Sequence, residues 1–507
     1  VNSEAFKAKD LKLARLETNP LEDGTVADYR LIEVRLDTLN REAVKDIEGL
    51  SSKLQDRCKN FFALGLIYWL FGRDLDATLR FVHAKFGGKP EVEAANERSL
   101  RAGWYYGETT EAFVHNYQVE PAKLTPGTYR NIMGNQALTW GLIAAAKLSG
   151  KDLFCGSYPI TPASPILEEL SSLKHFGVRT VQAEDEIAAM CSVIGAAFAG
   201  AMAVTSSSGP GIALKGEAMG LGMILELPMI IINVQRGGPS TGLPTKTEQS
   251  DLLQAMFGRN GESPLPVIAT RSPSDCFDVA LEAWRIATRF MTPVILLSDG
   301  YIANGSEPWR LPNVDNLPRI PVEHPGPTTD GKPFLPYERN ERLARPWAVP
   351  GTEGLMHRVG GLEKEDVTGN VSYDPENHQH MTNVRAARVA QIADDIPLQA
   401  VNGPASGKLL VVSWGGTYGT CTTAVQRCQA EGLSVAHAHL RYLNPFPKNL
   451  GDLVNAYDQV LVPELNMGQL RLLLQARYVR ELVGLNKVQG KPFTVSEVAV
   501  AIRQLVV

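Results

Sequence analysis

Six short apolar runs between residues 150 and 300 restrict this chain more than any other feature. They read DLFC, TVQA, AMAVTS, PMIIINV, PVIAT and TPVILLS. Their starts recur roughly every 20–40 residues, the length of a βα unit. A run such as MIIINV carries no period of two, so it is not a strand with one wet face. It is a strand covered by helices on both sides. The stretch from about 130 to 305 therefore reads as a doubly wound parallel sheet.

Other regions have different textures. Residues 1–125 read mainly as helix. The segment DRCKNFFALGLIYWLFG closes at Gly72, and DLDATLRFVHAKFGG follows, with Phe81 and Phe86 on an expected buried face and Gly87 and Gly88 ending the helix. Val1 enters without a recognisable start, so this region reads as the tail of a domain whose front is absent. Residues 306–400 are rich in proline and charge, yet their tryptophan, tyrosine and phenylalanines predict a segment wrapped on a surface. From 401 to 507 a second α/β domain is expected, opening on KLLVVSWGGTYGT and continuing through SVAHAHL and DQVLVPEL.

Composition narrows the function. A net charge of −5 gives no basic footprint, which argues against nucleic acid as a partner. No apolar stretch reaches membrane-spanning length and no signal peptide is visible, so a cytoplasmic protein is expected. The six cysteines form no CxxC pair; Cys421 and Cys428 are seven apart on an expected helix, as core residues are. His378 and His380 fall in an expected polar loop, solvated rather than bound to metal.

In an open parallel sheet, ligands bind beyond the carboxyl ends of the strands, and four loops fall there. In FCGSYPITPASP, Pro159 and Pro162 stiffen the chain around Thr161. Thr161 either caps the following helix or presents its hydroxyl to a ligand. In VQAEDEIAAM, Glu184, Asp185 and Glu186 stand between a strand and a helix. Acids favour helix N-termini, but an acid opening an apolar helix is also placed to be buried, with a raised proton affinity, beside a nitrogen heterocycle. TSSSGPG, from Thr205 to Gly211, allows close approach to the backbone, or is a plain turn; it lacks GxxxxGK[ST]. In NVQRGGPSTGLPTKTEQSDL, Arg236 is either a surface charge or a planar fork for a carboxylate. SWGGTYG is a weak dinucleotide signal without GxGxxG, which leaves a nicotinamide-dependent dehydrogenase as a remote alternative.

Taken in order, YPITP (158–162), QAEDEIAAM (182–190), TSSSGPG (205–211), QRGGPSTGLPT (235–245), LRYLNPFP (440–447) and PELNMGQL (463–470) resemble the α subunits of 2-oxoacid:ferredoxin oxidoreductases. GLMHRVGGLEKEDVTGNVSYDPENHQHM resembles the linker of the 2-oxoglutarate branch, and ANERSLRAGWYYGE resembles the rear of its γ domain, here fused ahead of α.

The resemblance implies a pyrimidine-binding domain at 126–305 that takes thiamine diphosphate, and a transketolase-like domain at 401–507. It implies a β subunit holding Mg2+ and a [4Fe-4S] cluster, an α2β2 assembly, ferredoxin as electron acceptor and coenzyme A as a substrate. The reaction is then reversible oxidative decarboxylation of 2-oxoglutarate to succinyl-CoA. Glu186 matches the glutamate that hydrogen-bonds the aminopyrimidine and promotes the nucleophilic ylid. Thr161 and Arg236 match positions at the substrate carboxylate. Tyr158, Pro159, Ile160, Ser207, Ser208 and Gly209 would line the cofactor pocket. Lys246 and Arg259 are candidates for the distal carboxylate by proximity to these loops. The alternatives are the same chemistry on pyruvate or another 2-oxo acid, and a non-catalytic assembly subunit.

Overall fold

A computed structural model describes residues 1–110, 116–328 and 331–506. The chain divides into two compact units, Val1–Pro126 and Gly127–Val507.

The first unit is helical. Its longest helices, Ser52–Leu70 and Pro90–Thr109, approach so closely that a Cβ on Gly65 or on Gly103 would strike the backbone carbonyl of Leu100 or of Phe62. Glycine at both crossings is what permits that approach. Gly72 lies just past the first of these helices with φ +58°, the left-handed stop that its position predicts. The helix Asp76–Phe86 differs from expectation. Val82 is its buried residue, while Phe81 is 51% exposed and Phe86 only half-buried. One position is a 100° turn, so seating Val82 rotates Phe81 outward; the Lys85 ammonium lies over both phenyl rings instead.

The second unit contains thirteen strands among the described residues. They are β1 (Tyr129–Met133), β2 (Leu153–Ser157), β3 (Val178–Gln182), β4 (Met202–Ser207), β5 (Met229–Gln235), β6 (Val267–Ala269), β7 (Pro293–Asp299), β8 (Ser306–Arg310), β9 (Gly407–Trp414), β10 (Val435–Leu440), β11 (Tyr442–Asn444), β12 (Tyr457–Glu464) and β13 (Val483–Asn486). The central sheet has the order β11-β6-β7-β5-β4-β2-β3. All its pairings are parallel except β11 with β6. That edge strand is part of LRYLNPFP, so the last 107 residues do not form a wholly separate sheet domain. The remaining C-terminal strands make a parallel sheet, β10-β9-β12-β13.

Both faces of the central sheet are dry. Ile230, Ile232 and Val234 of β5 join one core with the helices Gly134–Ser149 and Asp275–Phe290. Met229 and Ile231 join another, together with the helix Glu186–Phe198 and the C-terminal sheet. Alternate residues of one strand thus enter two cores, which is why the sequence shows no polar alternation.

The proline-rich stretch after β8 buries aromatic residues and is not wholly extended. Trp347 is buried and donates to the Ala197 carbonyl, and Tyr337 is buried as well. Thr329 and Asp330 of this stretch lie outside the described residues. A helix, Pro375–Gln391, then forms, with Asp374 capping it and Pro375 at its first turn. His378 and His380 therefore lie on a helix rather than in a loop. They face the carboxylates of Glu363 and Asp366.

Candidate functional site

Strand order locates the crevice. β2 sits between β3 and β4, so the chain leaves β2 toward one edge and then crosses back over it to build β4. The helix after β2, Ser164–Ser172, packs into one core, whereas the helix after β3 packs into the other. Connections that leave to opposite faces open a cleft at the strand tips between them. The loops after β2, β3, β4 and β5 meet there.

Glu186 opens the helix Glu186–Phe198, and Asp185 is its cap, accepting from the Ala188 N–H at 2.7 Å. With Asp185 satisfying the helix terminus, Glu186 is free of that duty. It is 7% exposed, and its carboxylate makes no hydrogen bond among the described residues. A buried acid that accepts nothing from the protein is placed to accept from a ligand.

The turn after β4 supports the same reading. Thr205, Ser207 and Ser208 are fully buried, and each hydroxyl lacks a hydrogen-bond partner among the described residues. By contrast Ser206 and Ser157, on the neighbouring register, satisfy each other. Gly211 lies against Ser207 and Glu186; an added Cβ would come within 2.7 Å of Glu186 Cγ and clash with the Ser207 hydroxyl. Gly209 is held similarly against the Asp251 carboxylate. These glycines keep open a cradle that a methyl group would fill.

Two site residues escaped the sequence reading. Lys215 follows the short helix Gly209–Leu214 and is wholly buried, with its ammonium lacking any hydrogen-bond partner among the described residues. Burial pulls its pKa down to about 8, against the opposing pull of Glu186 and then of Cys155 and Asp185. Asp251 accepts from the Asn233 amide at 3.0 Å, and burial raises its proton affinity. A signal for Lys215 was present: it is a lone charge in the apolar, glycine-rich run GPGIALKGEAMG.

Arg236 leaves β5 and is also buried. Its guanidinium donates to the Thr161 carbonyl, leaving its Nε without a partner among the described residues. The structure thus brings the loops after β2 and β5 together through these two residues. Thr161 does not cap the next helix, whose cap position is Ala163; its side chain is exposed and its hydroxyl makes no hydrogen bond among the described residues. Tyr158 and Pro159 are exposed on the same loop, whereas Ile160 packs against the core.

The two distal-carboxylate candidates part ways. Lys246 is exposed on the loop after β5 and packs beside Gly490. Arg259 is not available: its guanidinium donates to the carbonyls of Ala255, Met256 and Ser263, closing the helix Leu252–Phe257 and the turn after it. Cations at helix C-termini commonly serve this purpose, and its proximity in sequence misled.

SWGGTYG also acquires a structural account. Gln249 donates to the Trp414 carbonyl and accepts from the Leu465 N–H, while the Gly416 N–H donates to Asp299. A Cβ on Gly416 would press on the Asp299 carboxylate at 2.6 Å. The glycine-rich turn is therefore filled by the central sheet's own side chains, which removes the room a dinucleotide would need.

Residues 145–373 match the family described as "Pyruvate flavodoxin/ferredoxin oxidoreductase, thiamine diP-bdg". The chain is 52% identical over 505 residues to the 2-oxoglutarate oxidoreductase subunit KorA of Mycobacterium tuberculosis, covering 99% of this chain and 76% of that one. It is 34% identical to the 2-oxoacid:ferredoxin oxidoreductase 1 subunit alpha of Aeropyrum pernix, over 86% of this chain and 70% of that one. Among solved structures it is similar to the 2-oxoglutarate:ferredoxin oxidoreductase of Magnetococcus marinus with 2-oxoglutarate, coenzyme A and succinyl-CoA bound. The TM-score is 0.84 at 30% identity, over 94% of this chain and 80% of that one.

Proposed function

This chain belongs to the 2-oxoacid:ferredoxin oxidoreductases as an α subunit, and from that premise we propose how its own residues serve the reaction. The activity is oxidative decarboxylation of 2-oxoglutarate by a thiamine diphosphate enzyme, with electrons passed to ferredoxin. The observation that carries the residue assignment is Glu186, largely buried and with no hydrogen-bond partner for its carboxylate among the described residues, set with the likewise unpartnered Ser207 hydroxyl against Gly211.

These residues fit the cofactor's pyrimidine end. Glu186 would exchange a proton with a ring nitrogen of the aminopyrimidine, and the buried hydroxyls would line the ring, which is polar at its edges and flat on its faces. Gly209 and Gly211 leave the space it needs. Thiamine diphosphate, when bound, supplies the nucleophilic carbon that adds to the 2-oxo group and the sink for the electrons released with carbon dioxide. The chain's own part is to place that ring and the substrate. Arg236, tied to the Thr161 carbonyl, keeps a free Nε for the substrate carboxylate, and the Thr161 hydroxyl is placed as a second donor. Lys246 is the remaining candidate for the distal carboxylate.

A partner subunit completes the enzyme. We propose that it is a β subunit holding Mg2+ at the diphosphate and a [4Fe-4S] cluster, in an α2β2 assembly in the cytoplasm, with ferredoxin and coenzyme A as co-substrates. No described helix is long and apolar enough to cross a membrane. The test is purification with the partner, thiamine and metal analysis, and initial rates with a one-electron dye on 2-oxoglutarate and on pyruvate. A 2-oxoglutarate rate that Glu186→Ala abolishes is the expected result. Near-normal turnover by that variant would sink the role of Glu186; preference for pyruvate would sink the substrate.

A further inference from the structure

PELNMGQL folds into a tight turn that neither cofactor nor substrate contact has yet explained. Pro463 and Glu464 end β12, and the chain then reverses into a helix, Gln469–Tyr478. The Asn466 side chain closes that turn, accepting from the Gly468 N–H at 2.7 Å and the Gln469 N–H at 3.0 Å. Gly468 takes φ +96°, a left-handed conformation that side chains rarely adopt. Gln469 is thereby fixed at the first position of the helix, and its side chain reaches the loop after β5.

That side chain clasps the loop's backbone at two points. Its amide donates to the Ser250 carbonyl at 2.8 Å, and its carbonyl accepts from the Leu253 N–H at 3.0 Å. Beside it, the Asn466 amide donates to the Gln249 carbonyl at 2.8 Å, and the Gln249 N–H donates to the Leu465 carbonyl at 3.1 Å. Bonds to main-chain groups on both sides of Asp251 set the path of the loop, not merely its distance from the second sheet.

The clasped residues reach back to the end of β5. The Ser250 hydroxyl lies 2.9 Å from the Arg236 carbonyl and 3.0 Å from the Asp251 carboxylate, sharing one proton between them. The Asp251 N–H donates to the Gln235 side chain at 3.1 Å. Arg236 in turn donates to the Thr161 carbonyl. A continuous line of hydrogen bonds thus runs from Gln469 through Ser250 to Arg236 and the Thr161 loop. The tip of the loop after β5, residues 238–246, is largely exposed, so its seating depends on contacts at its two ends.

We infer that Gln469 is a positioning residue for the substrate: through Ser250 it sets the main chain of Arg236, and so the direction of the guanidinium that meets the 2-oxo acid's carboxylate. This assignment rests on the proposed contact between Arg236 and that carboxylate. A planar guanidinium holds a carboxylate well only when its plane is aimed. Gln469 touches no reacting atom; it supplies the aim.

Steady-state rates of the assembled enzyme, over a range of 2-oxoglutarate concentrations, test this. Gln469→Leu removes both clasping groups and keeps the bulk. It is expected to raise KM about fivefold, the worth of about one hydrogen bond. Its kcat is expected to change by less than about twofold, because Glu186 stands on another loop. Ser250→Ala cuts the same line one step nearer Arg236 and is expected to raise KM to a similar extent. The double variant is expected to cost no more than the worse single, as for groups acting in series.

A lowered unfolding temperature with an unchanged KM in Gln469→Leu would show a purely structural contact and overturn the inference. If Arg236→Lys raises KM while Gln469→Leu does not, the inference falls and the reading of Arg236 stands. Effects that multiply in the double variant also overturn it. An unchanged KM in Arg236→Lys overturns the reading itself. Should Gln469→Leu fail to assemble, Ser250→Ala decides, since it leaves the clasp whole: a native KM in that variant refutes the line through Ser250.

Discussion

Two buried carboxylates stand at the carboxyl ends of parallel strands in the second unit, and they are handled oppositely. Glu464 ends β12 and accepts from the N–H groups of Leu470 and Arg471, the Trp414 indole and the Asn466 amide. Glu186, just beyond β3, accepts from none of the described residues. The same contrast separates their surroundings. Around Glu464 the polar ends are tied within the C-terminal sheet region, and Gln249 and Asp299 tie the central sheet to the turn after β9 and the loop after β12. In the loops after β4 and β5, the hydroxyls of Ser207 and Ser208, the Lys215 ammonium and the Arg236 Nε are buried and have no hydrogen-bond partner among the described residues. Unsatisfied polar groups are costly in a folded chain, so a cluster of them marks the place where a ligand supplies the partners. Burial alone does not distinguish a latch from a site; satisfaction does.

The strongest way to break this contrast is to remove the Glu186 carboxyl. Glu186→Gln in the assembled enzyme is expected to cost about 10²–10⁴-fold in 2-oxoglutarate-dependent dye reduction, with the unfolding temperature of the apo complex nearly unmoved. A large fall in unfolding temperature would place Glu186 with the latch. The second test is the converse. Glu464→Ala leaves four donors unpaired and is expected to lower folding stability by about 3 kcal/mol or more, read by denaturant titration. If the variant folds normally and only turnover suffers, Glu464 belongs to the site.

Lys215 gives a test on stability alone. Its pKa of about 8 lies below that of an unfolded lysine. Between those values the unfolded chain holds more protons than the folded one, so folding stability rises with pH across roughly 8–10. Below pH 8 the folded state bears the full cost, of order 3 kcal/mol. Lys215→Met is therefore expected to raise stability at pH 7, by about 2 kcal/mol after imperfect packing, and to flatten the alkaline slope. Chemical denaturation at pH 7 and pH 10 checks both. Loss of stability at pH 7 would mean that the ammonium earns its place structurally.

The contrast also explains what could be read from the sequence. The six central strands were legible because both of their faces are buried, so their apolar runs are continuous. Glu186 was legible because three acids fall between a strand and an apolar helix. The latch was not, since Gln249 meets Trp414 and Leu465 more than 160 residues away. Pro375–Gln391 was hidden by its charge: its buried positions include Arg385 and Arg388, so no apolar stripe announces it. Phe81 misled because size does not decide which face of a helix is buried when a neighbouring valine fits better. Arg259 misled for a related reason: a cation near a loop is as readily taken by the loop's own carbonyls.

Arg236 sharpens the contrast at its edge, because it belongs half to each class. One guanidinium nitrogen ties the loop after β2 through the Thr161 carbonyl, and its Nε is untied. Lysine would keep the charge but offers a point donor, which cannot hold the Thr161 loop and a substrate carboxylate together in one plane. Arg236→Lys is expected to raise the KM for 2-oxoglutarate about tenfold, equivalent to about 1.4 kcal/mol, with a smaller fall in kcat because the proton chemistry at Glu186 is untouched. Steady-state rates over a range of 2-oxoglutarate concentrations separate the two parameters. An unchanged KM with a reduced kcat would mean that Arg236 braces the Thr161 loop without touching substrate. The untied Nε would then face the cofactor, and the boundary between latch and site would run through the guanidinium differently from the way drawn above.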